Sequence, residues 1–245
     1  MSFNFSKLFF QTTVTLLAVL ALFGNVLAYA DNSELSQSQI SDLQSLAKDA
    51  QSSDKGIKLK AKDKIVTKIN KSNFKKLENI KQESDLKSLT KQEKESYVAS
   101  QIVVEEKIVA KSLDNAEQKR RGSDKQDRNY DCWYGVVNTE WYSATGARLW
   151  RFAIKTYACA EWNYMTYGRV YGVYPEYLPF SGWGYYGVVG ASDRCWYGRT
   201  DCVFYRQGSM KLCYSWIGCV QQVRPWIEYY ARPLNLPDWW RTGGY

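Results

Sequence analysis

All ten tryptophans and all six cysteines of this 245-residue chain lie at or after Cys132, whereas the hundred residues from Asp31 to Tyr130 hold neither, and only two tyrosines. Tryptophan and tyrosine bury more surface than other side chains and dominate the cores that contain them. The split therefore predicts two different parts: a Lys-rich, weakly apolar arm over 31–125 and an aromatic-packed domain over 126–245.

Ahead of both, residues 1–30 read as a secretory signal: a single Lys7, an apolar run from Val14 to Phe23, and Ala28-Tyr29-Ala30 as a small-residue cleavage site ending at Ala30. The apolar run is about half the roughly 20 residues needed to span a bilayer, so no transmembrane span is expected after cleavage. Export makes the cysteines legible. Oxidising compartments favour disulfides, and Cys132, Cys159, Cys195, Cys202, Cys213 and Cys219 are even in number. Zinc spacing is missing, and the chain has no histidine, so no metal or cofactor is expected. The lack of histidine also removes Ser-His-Asp, Cys-His and imidazole acid–base chemistry.

The arm holds eighteen Lys, two Arg and sixteen acids, a net +4 with the signs well mixed. Ile65, Val66, Ile69, Leu77 and Ile80 fall on one side of a 3.6-residue wheel, as do Val98, Ile102, Val109 and Leu113. Polar and Gly interruptions break the pattern, so the arm reads as an α-helical, partly disordered spacer. It ends in Lys119-Arg120-Arg121-Gly122-Ser123, an exposed linker and a candidate processing junction after Arg121. Beyond it arginine replaces lysine, ten to two, with a net +3.

The domain over 126–245 reads as strands. A hairpin with a two-residue loop at Thr145-Gly146 makes opposing residue numbers sum to 291. That register puts Trp141 opposite Trp150, Thr139 opposite Phe152 and Val137 opposite Ile154 on one face, Glu140 opposite Arg151 on the other, and Cys132 opposite Cys159. A slip by one residue would scramble all of this. A second hairpin, with Gly198 opening a type II′ turn, opposes Cys195 to Cys202; a third turn joins Cys213 to Cys219. A last strand runs over 220–230, with Pro225 marking an edge or bulge. With segments near 167–174 and 183–190, about seven strands predict a disulfide-stabilised antiparallel β-sandwich.

Gly182-Trp183-Gly184-Tyr185-Tyr186-Gly187 matches the dinucleotide fingerprint in letters only, since no strand–helix–strand unit surrounds it. Trp226-Ile227-Glu228-Tyr229-Tyr230 resembles, over these five residues, the stretch around the first catalytic glutamate of the jelly-roll xylanases of glycoside hydrolase family 11. The resemblance implies a carboxylate role for Glu228. That chemistry needs a second carboxyl group, for which Glu140, Glu161 and Glu176 are the candidates, because only Asp238 follows Glu228.

Thirty aromatic rings in the last 120 residues overfill a thin sandwich core. Some must face outward. Between Trp162 and Tyr186 they crowd together, and Tyr171, Tyr174, Tyr177, Trp183, Tyr185 and Tyr186 are the expected ligand-binding residues on a loop-rich surface. Flat rings with few charges between them suit the faces of sugars, and equally an extended minicore, a protein partner or a lipid interface. The expectation is a secreted, non-catalytic module that binds polysaccharide or a surface protein, with the basic arm drawn to an anionic cell surface. Nucleic acid is not an expected partner. Two alternatives are a secreted effector cut near Arg121 and a glycosidase using Glu228.

Overall fold

The computed structural model describes residues 34–70, 77, 80, 83–109, 130–233 and 236–244. Ala30, Arg121 and the signal and linker segments around them lie outside the described residues. Among the described residues, four helices, α1 Gln37–Ala50, α2 Lys55–Asn70, α3 Glu83–Lys87 and α4 Lys91–Ser100, precede nine strands. The strands are β1 Val103–Val109, β2 Tyr130–Ser143, β3 Arg148–Glu161, β4 Tyr164–Tyr177, β5 Trp183–Arg194, β6 Cys202–Tyr214, β7 Gly218–Val223, β8 Trp226–Ala231 and β9 Trp239–Gly243. They build two antiparallel sheets in a sandwich-like arrangement. One has the order β1-β2-β3-β4; the other runs β5-β6-β8-β9, with β7 also pairing β6.

The β2–β3 register is the one expected: Cys132 opposes Cys159, Val137 opposes Ile154, Thr139 opposes Phe152, Glu140 opposes Arg151 and Trp141 opposes Trp150. The turn itself differs. Ser143 N–H donates to Ala147 O and Gly146 N–H to Ser143 O, so the loop has three residues and Gly146 takes a positive φ of 83°. That is the type I turn plus left-handed glycine of a longer hairpin loop. The extra residue is absorbed at a bulge, where Tyr142 pairs with Arg148 and Trp141 with Trp150. Past that point the sum returns to 291. Glu140 is ion-paired to Arg148 at 2.8 Å, and Arg151 reaches across to Glu176 on β4. Burial acts to raise the Glu140 carboxyl, but hydrogen bonds from Tyr142 and Arg148 outweigh it and hold the group below its usual range.

All three expected disulfides form, Cys132–Cys159, Cys195–Cys202 and Cys213–Cys219. Each links residues at opposing register positions or in a strand-end loop. The Cys195–Cys202 loop is not a II′ hairpin. Arg199 N–H donates to Trp196 O, which puts Gly198 at the third turn position, and the loop is drawn toward the first sheet by hydrogen bonds to Met165. The expected last strand is two, β7 and β8, broken at Pro225, whose carbonyl accepts from Gly208 N–H. Both halves pair with β6, and β9 adds a further C-terminal edge.

The region before Tyr130 corrects the sequence reading in one place. The helix expected from Val98 onward ends at Ser100, and Val103–Val109 forms strand β1 on the edge of the first sheet, against β2, while Leu113 lies outside the described residues. Four of its seven residues are Val or Ile, and β-branched residues favour a strand over a helix. The helices behave as their pattern predicts. Ser36 with Gln39 and Thr90 with Glu93 form capping boxes at the starts of α1 and α4. The apolar stripe of α2 buries Ile65 and Ile69, with Leu77 buried and Val66 and Ile80 half-buried beside them.

These helices share one hydrophobic core with both sheets. Gln221 of β7 clamps the assembly together. Its buried amide accepts from Val103 N–H at 2.8 Å and donates to Val103 O at 3.1 Å and Ala47 O at 3.4 Å. Tyr97 of α4 donates to Phe180 O at 2.8 Å, and burial pushes its phenol up to about 12. Among the described residues no helix is long and apolar enough to cross a membrane.

Replacing Gln221 with Leu orphans the buried Val103 N–H and C=O, each worth about 1–3 kcal/mol when left unpaired. Urea unfolding should show that loss, and amide exchange should rise in α1 and β1 ahead of β2–β9. A change within about 0.5 kcal/mol, typical of surface exchanges, would show that the clamp is dispensable.

Candidate functional site

Strand β4 is an edge of the first sheet, and its fourteen residues carry five tyrosines at spacings of three and four. In a regular strand such spacings would send them to alternate faces. Two bulges prevent this. Register is lost between Cys159/Ala160 and between Lys155/Thr156, which makes Thr166 and Tyr171 the extra residues. Each bulge resets the alternation by one residue. Tyr164, Tyr167 and Tyr174 therefore share the outer face, opposite Glu161, Cys159 and Ala153, and all three are exposed, as is Tyr171 at the second bulge; Tyr177, opposite the core residue Trp150, falls on the other face and is exposed at the strand end. The segment is a strand, not the loop-rich surface the sequence suggested, and its helix-like spacing is the trace of those bulges.

The ladder continues onto neighbouring strands. Tyr134 on β2 lies opposite Tyr157 on β3, with ring centroids 4.9 Å apart. Tyr171 sits 5.6 Å from Tyr134 and 6.0 Å from Tyr157, and Tyr167 lies 6.2 Å from Tyr157. Lys155 stands over the Tyr134 ring at 4.6 Å, and the Arg169 guanidinium over Tyr171 at 4.3 Å. Four rings and two cations thus form one patch across three strands. The Arg169 guanidinium, then the Tyr134 hydroxyl, hold the Tyr171 phenol below its usual range. Tyr171 in turn is the main cause that raises Tyr134.

Of the six expected ligand-binding residues, Tyr171 and Tyr174 belong to this surface, whereas Tyr177 is exposed at the end of β4 on the face of Trp150. Trp183 is not part of it either. It is buried beside Trp150, centroids 5.6 Å apart, and its indole N–H donates to Gln101 O at 2.9 Å. Tyr185 is half-buried against Phe152, and burial raises its phenol. Tyr186 is exposed, but on the second sheet, under Lys211 at 4.7 Å. Tyr134, Tyr157, Lys155 and Arg169 were missed by the sequence reading. The signal was available: the 291 sum already places Tyr134 opposite Tyr157, on the face shared by Glu140 and Arg151.

Glu228 lies on β8, in the other sheet from Glu140, Glu161 and Glu176, and the fold brings none of the three to it. Its carboxylate is held by Arg241 on β9 and approached by Arg194 at 3.8 Å. Tyr230 beside it stacks on Trp239 at 3.7 Å. This is a structural ion pair on an aromatic sheet face. A polar cleft of about 390 Å³ lies among the helices, where Lys68 is already paired with Asp42 and Glu95. No cluster of three or more metal-ligating side chains occurs among the described residues.

Tyrosine-labelled NMR titration should find Tyr171 ionising at lower pH than Tyr134, because its phenolate is the form that the guanidinium favours. Arg169→Gln should move Tyr171 upward; an unchanged midpoint would mean that the cation does not act on the ring. No protein-family model, curated protein or solved structure matches this chain.

Proposed function

We propose that this chain is an exported, non-catalytic module that holds a polysaccharide along the tyrosine ladder of β4. The observation that carries this reading is the run of exposed tyrosines Tyr164, Tyr167, Tyr171 and Tyr174 on one edge strand, continued by Tyr134 and Tyr157 on the same sheet. At about 3.3 Å per residue, the stretch from Tyr164 to Tyr174 extends over about 33 Å, which suits a linear polymer better than a single small ligand. Tyrosine rings offer flat apolar area to sugar faces at small entropic cost, and their hydroxyls can hydrogen-bond to sugar hydroxyls. Lys155 and Arg169 add donors within the same patch.

Export rests on the signal-like residues 1–30 and fits the three disulfides, which persist in oxidising compartments. The basic arm adds non-specific attraction to anionic surfaces. An effector released by cutting after Arg121 is the weaker reading. Residues before the cut supply β1 to the first sheet and accept the Gln221 clamp, so cleavage alone would not free them.

Retention of the purified protein on insoluble cellulose, chitin, xylan and peptidoglycan tests the proposal. Binding to at least one is expected, and Tyr167→Ala, Tyr171→Ala and Tyr174→Ala should each weaken it about 3- to 10-fold, the scale of one ring contact. Glu228→Gln should leave it unchanged. The reading fails if no polysaccharide is retained, or if the triple tyrosine variant binds as well as the parent protein.

A further inference from the structure

At one end of the molecule the β3–β4 turn and the β5–β6 loop meet. Met165 N–H donates to Arg199 O at 2.7 Å, and Gly198 N–H donates to Met165 O at 3.0 Å, which joins a turn of the first sheet to a loop of the second. Gly168 lets the two come close, since a Cβ there would lie 2.7 Å from Cys195 Sγ and from the Phe204 ring. The Cys195–Cys202 disulfide closes the loop at its base. Two turns from different sheets are thereby fixed as one tip.

That tip carries Trp162 at 62% exposure, Tyr164 at 53%, Trp196 at 55% and Tyr197 at 74%. Tyr197 and Trp162 are the most exposed aromatic side chains among the described residues. Trp162 also sits at a φ of 53° in a tight turn with Asn163. A bulky side chain rarely takes this left-handed region, which Gly or Asn would fill at lower cost. Neither turn geometry nor burial explains why an indole stands there. Local strain of this kind is kept where it serves function.

From these placements we infer that the tip seats the protein on a lipid bilayer by inserting Trp162, Trp196 and Tyr197 at the headgroup level. Tryptophan and tyrosine concentrate at that depth because their ring bodies are apolar while the N–H and O–H stay wet. Arg199 lies over the Trp196 ring at 4.4 Å, which places a guanidinium at the level of lipid phosphates when the ring goes in. Its local partner Asp201, at 3.3 Å, leaves the tip itself close to neutral. Complementary charge comes from the arm, net +4, and the domain, net +3, which together draw the protein to an anionic leaflet. Long-range attraction and ring insertion are separate contributions. The inference does not depend on the polysaccharide reading.

Co-sedimentation of the full protein with mixed phosphatidylcholine–phosphatidylglycerol vesicles tests it, together with quenching of tryptophan fluorescence by brominated lipid. Trp162→Asn suits the turn better than the native residue, and Trp196→Ser removes an exposed ring, so this pair of changes should leave the fold intact by circular dichroism. Partitioning of the double variant is expected to fall at least about tenfold, with loss of the bromolipid quenching. The Tyr171→Ala/Tyr174→Ala variant should partition normally, which distinguishes failure here from failure of the sugar-binding proposal. Absence of vesicle binding by the parent protein overturns the inference. So does a double variant that partitions like the parent, which would assign any binding to the basic charge alone, and so does bromolipid quenching that persists in it.

Discussion

Three indoles at the centre of the sandwich set the terms for everything around them. Trp141 and Trp150 stack across the β2–β3 hairpin with centroids 4.9 Å apart, and Trp183 from the opposite sheet meets Trp150 at 5.6 Å. All three are buried. Trp183 also hydrogen-bonds to Gln101 at the end of α4, so the same cluster joins both sheets to the helical region. Side chains this large fill most of the roughly 10 Å between packed sheets. Smaller residues, Phe152, Ile154, Phe204, Met210 and Ile227, complete the interior, and there is little room for further rings.

The consequence is a division of labour by chemistry. Tryptophans provide much of the central packing, while most tyrosines of the first sheet are displaced to its outer face or edge. A hydroxyl on each ring makes that exposure cheap. The bulges in β4 then decide where the excluded rings go: without Thr166 and Tyr171 as extra residues, Tyr167 would fall on the opposite face from Tyr164 and Tyr174 and the ladder would be broken. Bulges commonly re-aim side chains near functional surfaces, and here two act in series along one strand. The outer face of the second sheet follows the same logic with different residues, where Tyr230, Trp239 and Arg241 surround the ion-paired Glu228.

What the sequence revealed followed from rules with a fixed period. The 291 sum found the hairpin, its buried face and its disulfide because a single register satisfied several pairings at once. It missed the three-residue turn, since the bulge opposite Trp141 and Tyr142 cancels the longer loop and hides it from the arithmetic. The α2 stripe was legible by its 3.6-residue period. Val103–Val109 was not, because Val98, Ile102 and Val109 also fit a helical wheel and the partner strand lies beyond the linker. Trp183 was misplaced for a related reason. Crowding in sequence with exposed tyrosines says nothing about which sheet a residue joins, and the β4–β5 connection carries Trp183 across to the core of the other layer. Only the hydrogen-bond network reveals Gln221 as a clamp, since the adjacent pair Gln221-Gln222 in a short strand does not show which of the two is buried.

The disulfides complete the argument from a different direction. Sequence separations of 27, 7 and 6 residues mean that each bridge closes a short loop. Loop-closure entropy grows with length, so such bridges contribute less to global stability than long-range ones would. Their effect is local: Cys132–Cys159 fixes one end of the hairpin that carries Tyr134 and Tyr157, and Cys195–Cys202 fixes the loop that carries Trp196 and Tyr197. The cross-links lie beside the exposed rings, whereas the interior is held by packed indoles and the Gln221 clamp. Rings fixed in place before a ligand arrives lose less freedom on binding it, which raises affinity without adding a contact. The sulfur chemistry of this chain is therefore better understood as support for its surfaces than as a substitute for its core.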